Sequence, residues 1–524
     1  MQIVTERDVE RAALAGTPLI IPPGAIVTPA ARDRLRALER TGTRPSGNGV
    51  SPVSPLAPAA TPLEPAADDL IGPLTDFVAL PLERIPRDVL EFAAVLLLDC
   101  LAVGAAGRVA EGTPGLVAAL RASSRGHAPV IGFPDRLAAP DAALANGALI
   151  HSTEFDPAFE AGLIHPMAGA APAALAAAAE ARIADGRALL AALAIAGEVA
   201  CRVSAAARGV PTIYRCGAMG AFAGVAAGAR LGSLDRAATR HAFGIAASLG
   251  APCWQPHVEG SSVHGALPGF GARSGLLAVA LARQGSTGPA NILEGPSGYY
   301  QTYEGGCWER ERALDGLGER WLLLDSEIKP YPAGRLTHGP IDGMLELRAE
   351  GLRAEDIASV VIECSAVIAE RTGRLPPPDA SLVHQRLSVP FTAAQALLHG
   401  RLGLGEIRNG AAADPLVRDM MARIEVRAAP DIPPGAFVPV RLAVRTRSGA
   451  VLQREVTRLR GSPARPLSRE ERLAKVAHCW SFAGLPAWRT PDALIRAVEA
   501  LPDGGTVDRL MAALPVASDR ERAR

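Results

Sequence analysis

Residues 167–203 read MAGAAPAALAAAAEARIADGRALLAALAIAGEVACRV, a nearly uncharged helical pattern broken only around Asp185-Gly186. Side chains this small at so many helical positions require helices that pack closely and bury one another. The same Ala-rich texture runs from Thr75 to about Glu319, with PRDVLEFAAVLLLDCLAVGAAG opening a helix at Pro86. The expected fold is therefore mainly α, built on a large helical domain. A 48% hydrophobic chain of 524 residues has enough apolar surface for a core of that size.

Between two such helical segments lies His151 to Pro166, HSTEFDPAFEAGLIHP, with two histidines and a cluster of acids around a Pro-broken, Gly-containing turn. Ionisable groups between apolar helices are costly unless paired or used, so this loop is the first place to look for chemistry. On spacing alone, an ordinary helix-cap region with Asp156 before Pro157 accounts for it equally well.

Other signals narrow the class. Basic and acidic residues balance at 54 each, which gives no footprint for nucleic acid and no polybasic membrane patch. The start MQIVTERDVERA is charged and lacks an apolar core, so it does not read as a secretory signal, and no stretch reads as membrane-spanning. Seven scattered cysteines fit a reducing cytoplasm better than a disulfide framework. Cys253, His257 and His264 have ligand-like spacing, but without a CxxC or HExxH pair they make a weak case for a metal. Lys329 and Lys475 are the only lysines; every other permanently basic residue is arginine. A lysine kept against that bias suits a position where a titratable point charge matters. Lys329, in IKPYPAGR, fits that reading, whereas Lys475, in SREERLAKVAH, reads as a chance surface lysine.

Along the chain, residues 1–45 form a small helical appendage: a short helix in TERDVERAALAG, an extended turn in LIIPPGAIV, and a capped helix in TPAARDRLRALERTG. Residues 46–71 are a Pro/Ser/Ala-rich linker. Residues 72–325 are the first part of the helical domain, with Gly-bearing loops at 211–224, 250–275 and 288–306 that read as lining a cleft. Strand patterns in DIASVVIECSA, ARIEVRAA and VRLAVRTRSGAVLQREVTRL, the last a hairpin through Ser448-Gly449, make residues 326–465 an α+β insert. Residues 466–515 return to helix and 516–524 form a tail. The phrase IPPGAIVTPAARDRLR resembles a segment of microcompartment-associated ethanolamine and propanediol utilisation proteins, which makes 1–45 either a docking element for a partner or an ordinary appendage.

In order along the chain come NGALIHSTEFD with HP after it, GAMGAFAGVAAGARLG, GFGARSGLLAVALARQGSTGPANILEG, IKPYPAGRLTHGPIDGMLEL, RLSVPFTAAQALLHG and PLSREERLAK. This series resembles the MmgE/PrpD family, which includes 2-methylcitrate dehydratase, cis-aconitate decarboxylase and iminodisuccinate epimerase, and the resemblance covers roughly residues 72–515. It implies a helical domain assembled from both ends of the core, an inserted α+β lid and a homodimer. It implies no metal and no organic cofactor. His165 matches the family's active-site histidine and Lys329 the lysine at the start of the lid.

Several positions depart from the family pattern. The first acid of its DFDDT motif is Glu154, Asp156 is kept, and Pro157 and Ala158 replace the following Asp and Thr. Tyr214 stands about where a histidine precedes the glycine helix, His264 where the glycine loop carries a lysine, and Phe391 where the lid helix carries a tyrosine. The resulting expectation is a cytoplasmic lyase that removes a proton or carboxylate next to a carboxyl group. Its substrate is a small carboxylic acid with fewer carboxylates and a more apolar tail than citrate. His165, Lys329, Glu154 and His264 are the candidate catalytic residues, with Tyr214, Asp156, Arg335, Phe391 and Arg386 as candidate substrate contacts. An epimerase of the same family and an inactive binding or assembly protein are the alternatives.

Overall fold

The structure, a computed structural model, describes residues 69–515 other than 210, 251 and 486–489, together with 26–40 and positions 3, 4, 9 and 21. Two units divide the chain, Met1–Glu64 and Pro65–Arg524. In the first, strands β1 (Ile3–Val4) and β2 (Ile26–Val27) pair in parallel, and helix α1 (Pro29–Arg40) follows. Thr28 caps α1 by accepting from the Ala31 amide through Oγ1 at 3.3 Å, which the TPAAR sequence foreshadows. Ile26–Val27, in the segment read as an extended turn, finds a strand partner near the chain start. Of the helix expected in TERDVERAALAG, only Val9 is among the described residues, and it is buried with Val4 and Ala31.

The second unit opens inside the expected linker, since Leu70 and Ile71 are already fully buried; residues 41–68 and the tail 516–524 lie outside the described residues. Among its helices are α2 (Arg87–Gly107), α3 (Ala139–His151), α4 (Met167–Glu180), α5 (Gly186–Ala206), α6 (Arg215–Leu231) and α7 (Leu267–Arg283). The small residues do what their frequency demands. A Cβ on Gly147 of α3 would fall 2.5 Å from Gly269 Cα of α7, and one on Gly169 of α4 would fall 2.5 Å from Gly220 Cα of α6. These helices meet backbone to backbone. Three helical stretches, Arg87–Gly107, Gly186–Ala206 and Ser262–Arg283, are long and apolar enough to cross a bilayer, but 83%, 94% and 67% of their most apolar windows are buried within the protein.

After Lys329 the chain enters the insert. Strands β3 (Ile357–Cys364), β4 (Ile424–Ala428), β5 (Val440–Thr446) and β6 (Val451–Val456) form one sheet in the order β4-β3-β5-β6, with β4 parallel to β3 and the others antiparallel. Helices α8 (His338–Ala349), α9 (Leu382–Arg386) and α10 (Val389–His399) accompany the sheet. Its core, including Ile341, Val360, Phe391 and Leu442, is separate from the helical core. Helix α11 (Arg469–Phe482), started by a Ser468/Glu471 capping box, then packs back on α2.

Lys475 on α11 is buried, not a surface lysine. Its ammonium lies 2.7 Å from Asp99 Oδ1, donates to the Phe155 carbonyl at 2.8 Å and sits 4.1 Å from the Phe155 ring centre. The reason is helical phase: Lys475 shares the inward face of α11 with Val476 and Cys479, opposite Asp99 of α2.

Candidate active site

Helix α3 ends at His151 and α4 begins at Met167, so the loop between them is fixed at both ends by buried helices. Glu154 adopts φ +53°, a left-handed conformation that a non-glycine residue holds at a cost of about 1–2 kcal/mol. The surrounding packing sustains it: Lys475 grips the Phe155 carbonyl, and Ala158 pairs with Glu327 at the entrance to the lid.

Asp156, fully buried, faces two imidazoles. His151 Nδ1 donates to it at 3.1 Å, and His165 Nδ1 stands 3.2 Å away at ion-pair distance. Burial works to raise the Asp156 pKa, but the fields and hydrogen bonds of the two histidines outweigh it and hold the carboxyl well below its ordinary range. On the other side of the ring, His151 Nε2 is hydrogen-bonded to the Tyr214 hydroxyl at 2.8 Å. Burial first, then nearby anionic groups, push the Tyr214 phenol well above its usual value, so it remains a neutral donor.

Glu154 is the second centre. One oxygen lies 3.1 Å from Lys329 Nζ and 3.7 Å from His165 Nε2; the other accepts from His264 Nε2 at 3.2 Å and lies 3.6 Å from His151 Nε2. Burial would raise its pKa, but Lys329 and the histidines drive it well below the ordinary carboxylate value. Lys329 is fully buried and also donates to the Ala333 carbonyl at 3.1 Å. His165 differs from its neighbours in access: its side chain is 12% exposed, against none for His151 and Lys329.

The same order of motifs is matched by sequence models of a known family. The MmgE/PrpD N-terminal domain matches residues 73–311, and the MmgE/PrpD C-terminal domain matches residues 331–484. The chain belongs to the MmgE/PrpD family. It is 28% identical over 344 residues to a cis-aconitate decarboxylase of Aspergillus terreus, covering 61% of this chain and 69% of that protein. It is 26% identical over 446 residues to the cis-aconitate decarboxylase of Mus musculus, covering 81% and 88%. A cis-aconitate decarboxylase-like protein oryM of Aspergillus oryzae is 29% identical over 282 residues, covering 50% and 58%.

In this MmgE/PrpD protein the structure brings His165, Lys329, Glu154, His264, Tyr214 and Asp156 into one cluster. Arg335 and Phe391 stand elsewhere. Arg335 is bound by Glu327 and, at 3.1 Å, by Glu160, and it donates to the Arg460 carbonyl. Phe391 is fully buried in the lid core. Arg386 reaches the loop by donating to the Ser152 carbonyl at 2.8 Å. His151 joins the cluster although it carried no role in the sequence reading; the signal was present, since it lies five residues before Asp156 in the same loop.

Two of the three glycine loops contribute. The 211–224 loop supplies Tyr214, and the 250–275 loop supplies His264, Trp254 and His257, whose rings stack edge to face (Tyr214–Trp254 5.2 Å, His257–His264 5.3 Å). The 288–306 loop is structural: Glu304 pairs with Arg215 at 2.6 Å and anchors the start of α6 beside Tyr214. Cys253 is exposed and outside the groups that could bind a metal. His151, Glu154 and His264, and separately His151, Asp156 and His165, bring ligand atoms within 4.8 Å of one another. An ion on the first set would share Glu154 with the Lys329 ammonium.

Proposed function

We propose that this protein is a lyase that breaks a bond next to a carboxyl group of a small organic acid through a stabilised carbanion, with His165 as the proton-transfer group. The observation carrying this reading is the Asp156–His165 pair in the most accessible part of the cluster. The Asp156 carboxylate, 3.2 Å from Nδ1, would orient the imidazole with Nε2 on the side of Glu154 and the substrate, and it would favour the imidazolium when that forms. Lys329, positioned by Glu154, would set a positive charge beside the negative charge developing on the acid.

The named activity of the relatives favours decarboxylation. In that step the electrons of the breaking C–C bond move into the adjoining unsaturated carboxyl system as carbon dioxide leaves. The imidazolium of His165 then gives its Nε2 proton to carbon, and the neutral ring recovers a proton from solvent. Tyr214 and His264 would contact the acid. Asp156 acts through His165, as a positioning residue.

The test is to offer cis-aconitate and a panel of substituted maleates and succinates, following carbon dioxide release and products by NMR. Turnover of one or more members, lost in His165→Asn with the fold intact, is the expected result. Turnover that is unchanged in His165→Asn would overturn the assignment.

We also propose a cytoplasmic homodimer. Seven free thiols suit a reducing compartment, and Phe270, Leu277 and Leu281 form an exposed apolar stripe on α7 suited to a second copy.

A further inference from the structure

Among the described residues four arginines are buried: Arg202, Arg215, Arg335 and Arg386. Three have a carboxylate against the guanidinium, Glu198 for Arg202 at 2.6 Å, Glu304 for Arg215 at 2.6 Å, and Glu160 for Arg335 at 3.1 Å. Arg386 has none. Its one side-chain hydrogen bond runs from Nη1 to the Ser152 carbonyl, and Nε is buried without a partner. A guanidinium that is only 6% exposed and lacks a counter-ion is expensive to hold. Burial pushes its pKa down to about 10, yet it stays charged at neutral pH.

The placement shows what could balance that charge. Arg386 ends α9 in the lid and crosses to the loop one residue after His151, within the fields of Glu154 and, more weakly, Glu111, neither at ion-pair distance. Glu154 itself is taken up by Lys329 and His264. What remains is an Nε–Nη2 edge, the fork that matches a carboxylate with two parallel hydrogen bonds. Lys329, by contrast, already spends its charge on Glu154.

We infer that Arg386 anchors, from the lid, a carboxylate of the substrate that does not react. This rests on the lyase reading for the other end of the acid. It makes substrate binding draw the lid and the loop together.

The experiment measures binding by calorimetry of succinate, methylsuccinate and citraconate, and of their monoamides, to the full chain and to Arg386→Gln, Arg386→Lys and His165→Asn. Unfolding of the ligand-free Arg386→Met and Arg202→Met variants is followed alongside. Expected are binding of at least one diacid by wild type and by His165→Asn, a loss of about tenfold or more in Arg386→Gln, and a smaller loss in Arg386→Lys. The monoamide should lose a similar factor in wild type but not in Arg386→Gln. Without ligand, Arg386→Met should be at least as stable as wild type, whereas Arg202→Met should unfold at lower denaturant.

Equal diacid affinity in wild type and Arg386→Gln would overturn the inference. So would destabilisation of Arg386→Met matching that of Arg202→Met, or the absence of diacid binding at millimolar concentration. Arg386-dependent binding without turnover of any acid would leave the anchor standing and sink the lyase reading. Turnover with an unchanged KM in Arg386→Gln would do the reverse.

Discussion

Lys329 Nζ lies 3.1 Å from Glu154 Oε2, and the two side chains are 0% and 6% exposed. The pair joins the first residues of the lid to the loop between α3 and α4, so the site exists only when helical core and lid are seated on each other. Removing one partner leaves a buried charge without its mate, which costs about 3–5 kcal/mol. Lys329→Met and Glu154→Gln should each lower stability on that scale in urea unfolding. The double variant should recover much of the loss but not the activity, because the coupling belongs to the pair.

Asp156→Asn tests the positioning role. An amide can present the wrong hydrogen-bonding group to His165 and His151 while keeping the shape of the carboxylate. The expected result is a fall in kcat of about 10²–10⁴ with little change in KM. Kinetics on the acid identified by turnover, with circular dichroism as the control for folding, would check this.

Stability should fall on acidification for a definable reason. Both Glu154 and Asp156 have folded pKa values well below their ordinary values of 4.5 and 3.8. The native state therefore binds these protons more weakly than the unfolded chain. Their contribution is present above about pH 4.5 and is lost as pH falls below it toward the depressed values. Asp156→Asn should flatten this acid limb in a series of urea titrations.

Glu327 has the opposite sign. Burial, with Arg335 opposing and Glu160 reinforcing it, pushes its carboxyl up to about 9 from an ordinary 4.5. Stability linked to this group is fully present below about pH 4.5 and declines as pH rises toward 9, by at most about 1.4 kcal/mol per pH unit. Glu327→Gln should remove that slope. An unchanged pH–stability profile between 5 and 9 would count against it.

Much of this architecture is written in local pattern. The Ala- and Gly-rich helices announce close packing because their side chains leave no alternative, and Gly147 against Gly269 shows how close. The lid strands announce themselves by alternation. What the sequence hides is pairing across long separations. Lys475 is 376 residues from Asp99, and the charged run around it looks exposed until α11 is docked on α2. His151 escaped a role for a related reason: a histidine closing an apolar helix looks like an end-cap until Asp156 folds back beneath it. Arg335 is another such case, since a conspicuous cation beside Lys329 is paired with Glu327 and Glu160, partners its local sequence does not announce.

The central claim is that His165, held by Asp156, moves a proton at carbon next to a carboxyl group. Its most direct test is NMR in deuterated buffer with the panel acids, comparing wild type, His165→Asn and Asp156→Asn. The account predicts deuterium at one carbon beside a carboxyl group in wild type, none above background in His165→Asn, and strongly slowed incorporation in Asp156→Asn. Deuterium entering at the wild-type rate in His165→Asn would contradict it.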